Sequence, residues 1–184
     1  MKRIITIDSV IEDKLRKHLF QSEVEQGAFL FTEAMESRNE LILKIKDYYL
    51  IPEDGWQVQL DVYLEMKDSE RSKIMSIARK GGYGVIDCHS HPGSDNEVQF
   101  SPSDCYGITD FATYANWKLD GKPFAALVWG EASFDGVVWM KEFKKAFPLD
   151  ELRIYGGRNV LLKPEGSWFI SKPALRWSSS LYGK

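Results

Sequence analysis

The stretch that most constrains this fold lies between two helix boundaries. Upstream, Met66 to Lys80 is charged on one side and carries Met66, Ile74, Met75, Ile77 and Ala78 on the other. Basic residues in its last turn and Gly81-Gly82 just beyond it are helix-stop signals. Downstream, Ser101-Pro102-Ser103-Asp104 starts a second helix, with Ser at the N-cap, Pro at the first helical position and an acid in the first turn, and this helix runs to about Leu119. Between them, the apolar run Tyr83-Gly84-Val85-Ile86 reads as a strand leading into Asp87-Cys88-His89-Ser90-His91-Pro92. Helix, strand and helix in succession imply a layered fold with a site at the strand's C-terminal end.

Residues i and i+2 of a strand share a face, so His89 and His91 can grip one metal ion. Asp104, at the start of the following helix, can swing back to them. Two histidines and one carboxylate leave a coordination position for water, the arrangement of a catalytic rather than a structural zinc. Taken alone, Ser-x-x-Asp is first of all a capping box. The joint pattern carries more, because two of the chain's three histidines sit here.

His89-x-His91-Pro92 followed by Ser101-x-x-Asp104 resembles the JAMM signature of the MPN+ (JAB domain) metalloproteases. The fourth element of that signature is an upstream glutamate at the start of an apolar strand. Glu25-Gln26-Gly27-Ala28-Phe29-Leu30-Phe31 matches it, with Ala28 where the family usually carries Gly. Glu23 is the nearest competitor, and Glu12 and Glu33 are further alternatives. The His91 to Ser101 loop is a couple of residues longer than the common family spacing, and Gly93-Ser94-Asp95-Asn96 suggests that a flexible surface turn absorbs the excess. The resemblance covers roughly residues 19–140. It implies an α+β fold of MPN/JAB type, similar to cytidine-deaminase-like architecture: a mixed, curved β-sheet flanked by helices.

The rest of the chain is consistent with one domain over residues 1–170 and a tail over 171–184. At 184 residues and 43% hydrophobic content it can bury one sizeable core. A net charge of −3 gives no basic footprint for nucleic acid, and no apolar run approaches the ~20 residues of a membrane span. The basic N-terminus is followed by an apolar stretch cut off at Asp8, so no secretory signal is expected. Two cysteines make no disulfide framework, which fits a cytoplasmic setting.

Arg3 to Ile7 reads as a strand, and Ser9 to about Phe20 as an amphipathic helix opened by a Ser9-x-x-Glu12 capping box. Gly27–Phe31 and Leu41–Ile45 read as strands joined across Glu33 to Glu40. Tyr48 to Pro52 runs into a turn at Glu53-Asp54-Gly55, and Trp56–Leu64 reads as one further strand. Phe124–Gly130 and Phe134–Met140 flank a turn at Glu131-Ala132-Ser133. Short strands are expected at Leu152–Tyr155, Asn159–Leu162 and Trp168–Ile170, with Trp177 and Leu181-Tyr182 in the tail able to dock on the body or a partner.

The resemblance implies a mechanism. Zinc, one per chain, held by His89, His91 and Asp104 would lower the pKa of its water from about 16 towards 7. Glu25 would take that proton and pass it to the leaving amine, and Ser101 would donate a hydrogen bond to the oxyanion. The substrate implied is a ubiquitin-like protein or its conjugates, cleaved after the C-terminal glycine, in a bacterial pathway with E1-like and E2-like proteins such as an antiphage defence operon. The alternatives are a peptidase acting on a sulfur-carrier protein and a non-catalytic MPN scaffold that binds partner proteins. An amidohydrolase-like barrel, which Asp87-x-His89-x-His91 also suggests, fails because no histidine follows His91. Asp87 is expected to be a solvent-facing strand residue rather than an orienter of a ligand imidazole. Cys88 and Cys105 are expected in the core, and His18 on the surface.

Overall fold

The computed structural model describes residues 1–61, 63–94, 97–140, 146–157 and 159–164. The expected strand at Trp168–Ile170 and the tail lie outside these residues. The chain is an α+β protein built on one curled, mixed nine-stranded sheet with helices on both faces. It opens with β1 (Lys2–Asp8), whose isoleucines Ile4, Ile5 and Ile7 are buried, and passes directly into α1 (Ser9–Leu19). The cap of α1 is Asp8, which accepts from Val10 N–H, and not Ser9. Ser9 is buried, and its hydroxyl accepts the Gly157 N–H at 3.1 Å, tying α1 to the C-terminal strands.

β2 (Gly27–Glu36) and β3 (Glu40–Leu50) form a hairpin much longer than the apolar runs suggest, turning only at residues 37–39. The polar ends Glu33 to Glu36 are exposed but remain in the ladder, because backbone pairing needs no apolar side chain. The expected single strand from Trp56 to Leu64 is instead a separate two-stranded sheet, β4 (Trp56–Gln59) against β5 (Leu64–Met66). α2 (Asp68–Gly81) follows and stops at Gly82, whose φ of 65° is the left-handed conformation that glycine supplies without strain. Then come β6 (Gly84–Ser90), α3 (Pro102–Lys118), β7 (Phe124–Trp129), β8 (Phe134–Trp139), β9 (Ala146–Pro148), β10 (Glu151–Tyr155) and β11 (Val160–Leu162).

The sheet order is β11-β10-β1-β3-β2-β6-β7-β8-β9, parallel at β10/β1, β1/β3 and β6/β7 and antiparallel elsewhere. Strand alternation divides the core into two layers. On one face Leu15 and Leu19 of α1 pack with Leu30, Ile86, Cys88, Leu127 and Trp129. On the other, Ile74 and Met75 of α2 and Cys105, Ile108 and Phe111 of α3 pack with Phe29, Phe31, Val85, Ala126 and Val128. Both cysteines are buried and free, as the sequence suggests. No helix among the described residues is long and apolar enough to cross a membrane.

Candidate metal centre

The site lies on the α2/α3 face, at the C-terminal end of β6. Val85 points into that layer, so alternation brings Asp87, His89 and His91 to the same side. The described residues of the loop after His91 are well anchored. Ser94 N–H donates to His91 O, Glu131 N–H donates to Ser94 O, and Val98 and Phe100 are buried. Phe100 packs 6.0 Å from the His89 ring and delivers the chain to Ser101.

α3 then begins with a complete capping box. Asp104 N–H donates to Ser101 Oγ at 3.2 Å, and Ser101 N–H donates to Asp104 Oδ2 at 2.6 Å. The box turns the Asp104 carboxylate towards the end of β6 instead of away from it. Asp104 Oδ2 stands 3.4 Å from His89 Nε2 and 3.2 Å from His91 Nε2. One ligand atom from each of the three side chains lies within 4.8 Å of the others, a spacing that can hold a metal ion. Capping and metal binding are thus not rival roles for Asp104, because the oxygen that caps the helix is also the one that faces both histidines.

The β2/β6 register supplies the fourth member. Gly27 pairs with His89, and continuing the antiparallel ladder by two residues sets Glu25 opposite His91. Glu25 Oε1 is 3.4 Å from His91 Nε2, and the side chain is buried. Its backbone carbonyl accepts from Gln59 Nε2 at 2.9 Å, so the β4–β5 hairpin braces it. The next peptide is braced as well: Gln26 N–H donates to Ser90 Oγ, which donates to Leu19 O. Of the competing glutamates, Glu23 is exposed, Glu33 pairs with Lys46 at 3.2 Å, and Glu12 is buried on α1 across the sheet.

The electrostatics are those of a ligand set. Burial pushes the Asp104 carboxyl up, but His89, His91 and the Ser101 N–H outweigh it and hold the group far below the usual range. Burial pulls the His89 imidazolium down, and Asp104, Asp87 and Glu25 more than reverse this, leaving its pKa raised. Glu25 is raised by burial against the pull of both histidines. His89 Nε2 is buried, and beyond the long 3.4 Å approach of Asp104 Oδ2 it has no hydrogen-bond partner. A buried imidazole nitrogen left in that state costs ~1–3 kcal/mol, a cost that a metal bond at Nε2 removes. The N···O separations of 3.2 and 3.4 Å also match the ~3.4 Å edge of a tetrahedron with metal–ligand bonds of about 2.0–2.1 Å. The residues therefore fit a small divalent cation.

Two placements differ from the sequence reading. Asp87 is not solvent-facing: it lines the cleft beside His89, and burial raises its carboxyl to about 6. His18 is half-buried, with Nε2 3.0 Å from Gly27 O, where it braces the strand that carries Glu25; burial lowers its pKa. Ser101 is in place beside Asp104, its hydroxyl 2.8 Å from that of Ser103.

From the metal group a cleft of about 520 Å³ runs between α3 and the β4–β5 hairpin. Trp56 forms part of its wall, lying so close over Gly27 that a Cβ there would stand 2.6 Å from the ring. Arg71 also lines it, a residue the sequence reading passed over.

No protein-family model matches the chain, and no curated protein matches it. Among solved structures, one similar fold is the solution structure of a structural-genomics target protein from Desulfitobacterium hafniense. The two share 14% identity over 82% of this chain and 92% of that one, with a TM-score of 0.54, a likeness of fold alone.

Proposed function

We propose that this chain is a zinc-dependent peptidase of the JAMM type, with an MPN/JAB fold, that cleaves the peptide or isopeptide bond after the C-terminal glycine of a ubiquitin-like protein. Its setting is a bacterial conjugation or antiphage defence pathway, and its partners are the modifier, its conjugates and E1-like or E2-like proteins. The observation that carries the reading is the convergence of His89, His91 and Asp104 with a buried acid, Glu25, 3.4 Å from His91 at the head of an open cleft.

His89, His91 and Asp104 would hold the ion, with a coordination position left for water. Zinc there would supply Lewis-acid activation, lowering the pKa of such a water towards neutrality. Glu25 would take the water's proton and return it to the departing amine, a role favoured by a pKa raised through burial. The hydroxyl of Ser101 steadies the oxyanion. Asp87, on the ligand face of β6, adds negative charge beside His89 and favours its charged form.

Metal analysis and turnover test the reading together. Purified protein should carry about one zinc per chain, lost in His89→Ala. Glu25→Gln should keep the zinc while cleavage of a ubiquitin-like fusion falls by ~100-fold or more, and Glu23→Gln should cleave normally. A metal-free protein from zinc-replete expression, or full turnover in Glu25→Gln, overturns it.

A further inference from the structure

We infer that Arg71 is the specificity residue of the cleft, where its guanidinium receives a carboxylate of the substrate about three residues from the bond cleaved. The inference rests on the reading of this cleft as the substrate site.

Arg71 stands on α2 with its guanidinium carbon 5.6 Å from the Phe111 ring centre and 5.9 Å from that of Tyr114. These rings hold the group beside them without using its donors. The side chain is half-buried; its guanidinium makes no hydrogen bond or ion pair with any described residue, and of its nitrogens Nε is buried without a partner. Asp87 is near enough to feel its charge but does not reach ion-pair distance. A guanidinium keeps its charge in any protein, and this half-buried one, with Nε enclosed and no protein acceptor for its fork, is available to a ligand that provides one. A second donor in the same wall, Trp56 Nε1, is also buried and unpartnered.

The shape of the donor and the charge of the walls decide the ligand. The guanidinium fork matches a planar carboxylate through two parallel N–H···O bonds. Glu65, Asp87 and Asp110 also line the cleft, and their repulsion weighs more heavily on a doubly charged phosphate than on a carboxylate. Distance sets the register. Phe111 lies seven residues beyond Asp104 on α3, which places it ~10 Å further along the helix axis. Three residues of extended peptide span about the same length. The carboxylate can belong to an acidic side chain or to a chain terminus, and both present the same group.

Matched peptides distinguish the two sources. Binding is followed by tryptophan fluorescence on zinc-loaded Glu25→Gln protein, which holds peptides uncut. One arm uses acetylated, amidated glycine-rich peptides with Glu or Gln three residues from the scissile bond. The other uses peptides that end at that position as free acid or amide. In one arm the carboxylate peptide should bind ~10-fold or more tighter than its neutral match. Arg71→Met should abolish that preference while leaving affinity for the neutral peptide, zinc content and melting temperature unchanged. Arg71→Lys, which keeps the charge but not the fork, should retain an intermediate preference and decides the matter if the methionine variant does not fold. Equal affinities in both arms, or a preference that survives in Arg71→Met or is undiminished in Arg71→Lys, overturn the assignment. Wild-type protein that cuts none of the peptides while the preference stands refutes the peptidase reading and supports the role of Arg71.

Discussion

Replacing Asp104 by Asn separates its two tasks. The amide keeps a carbonyl oxygen where Asp104 Oδ2 now accepts the Ser101 N–H at 2.6 Å, so the capping box survives. What is lost is the negative charge in the first turn of α3, worth ~0.3–1 kcal/mol or at most about 4 °C in melting temperature for a domain of this size, together with its attraction to His89 and His91 in the metal-free protein. The metal-dependent term is larger. At free zinc 100-fold above its dissociation constant, the wild-type protein gains ~2.7 kcal/mol, because only the folded state assembles the three ligands. That gain is a rise of about 5–11 °C. A neutral amide is a poor third ligand, so the variant should show less than about 2 °C of the rise at the same zinc concentration. Scanning fluorimetry of chelator-treated protein, titrated with zinc, measures both quantities in one experiment. An equal zinc-dependent rise in Asp104→Asn, or none in the wild type, refutes the ligand assignment. A variant that does not fold without metal shows that the charge holds α3 to the sheet in a way the capping geometry does not account for.

Two further predictions follow from the same residues. Ser101→Ala removes the cap acceptor for Asp104 N–H, so it should cost ~1 kcal/mol of stability and, as an oxyanion donor, ~100-fold in turnover; normal turnover in a folded variant removes Ser101 from the mechanism. For pH, Asp87 is raised from 3.8 to about 6 by burial, Glu25 is raised, and His89 is raised from 6.5, so all three bind protons more tightly in the folded state. Asp104, Asp150 and Glu151 are lowered and act the other way at acid pH, so the loss from the raised groups should show in metal-free protein only above about pH 5, where it outweighs the opposing gain at the lowered His18, while the zinc-dependent rise grows over the upper part of that range because zinc takes His89 unprotonated. A metal-free melting temperature that climbs from about pH 5 to 7.5 contradicts this balance.

The parts of the site legible in the sequence were those governed by local rules. Helix-stop glycines, Ser-Pro at a helix start and the period of two along a strand position His89, His91 and Asp104 without knowledge of the sheet. Glu25 needed one long-range fact, the antiparallel β2/β6 register, and the apolar run after it stood in for that register. The order of the sheet left no such trace. β1 lies between β3 and β10, strands distant in sequence, and parallel pairing of that kind is set by how the layers close, which no short window of residues records. The β4–β5 hairpin was missed because its apolar residues read as one run, whereas among the described residues its two strands pair with each other and with no third strand.

Asp87 and Arg71 show where a local rule was available and a composition rule prevailed. The alternation that turns Cys88 away from the ligands necessarily turns Asp87 towards them, yet an acid on a strand reads by default as a solvent-facing group. Arg71 sits three, four and seven residues before Ile74, Met75 and Ala78, which places it on the buried stripe of α2. A charge on that stripe breaks the amphipathic pattern, and even half-burying it, with Nε unpartnered, is unfavourable. Position overrides residue type in both cases: the face a side chain occupies is fixed by backbone period, and a charged residue found on the wrong face marks chemistry that the packing alone does not require. On this argument the acid and the arginine are features of the cleft's function, and substituting either by an apolar residue of similar size should leave the fold intact while changing what the cleft accepts.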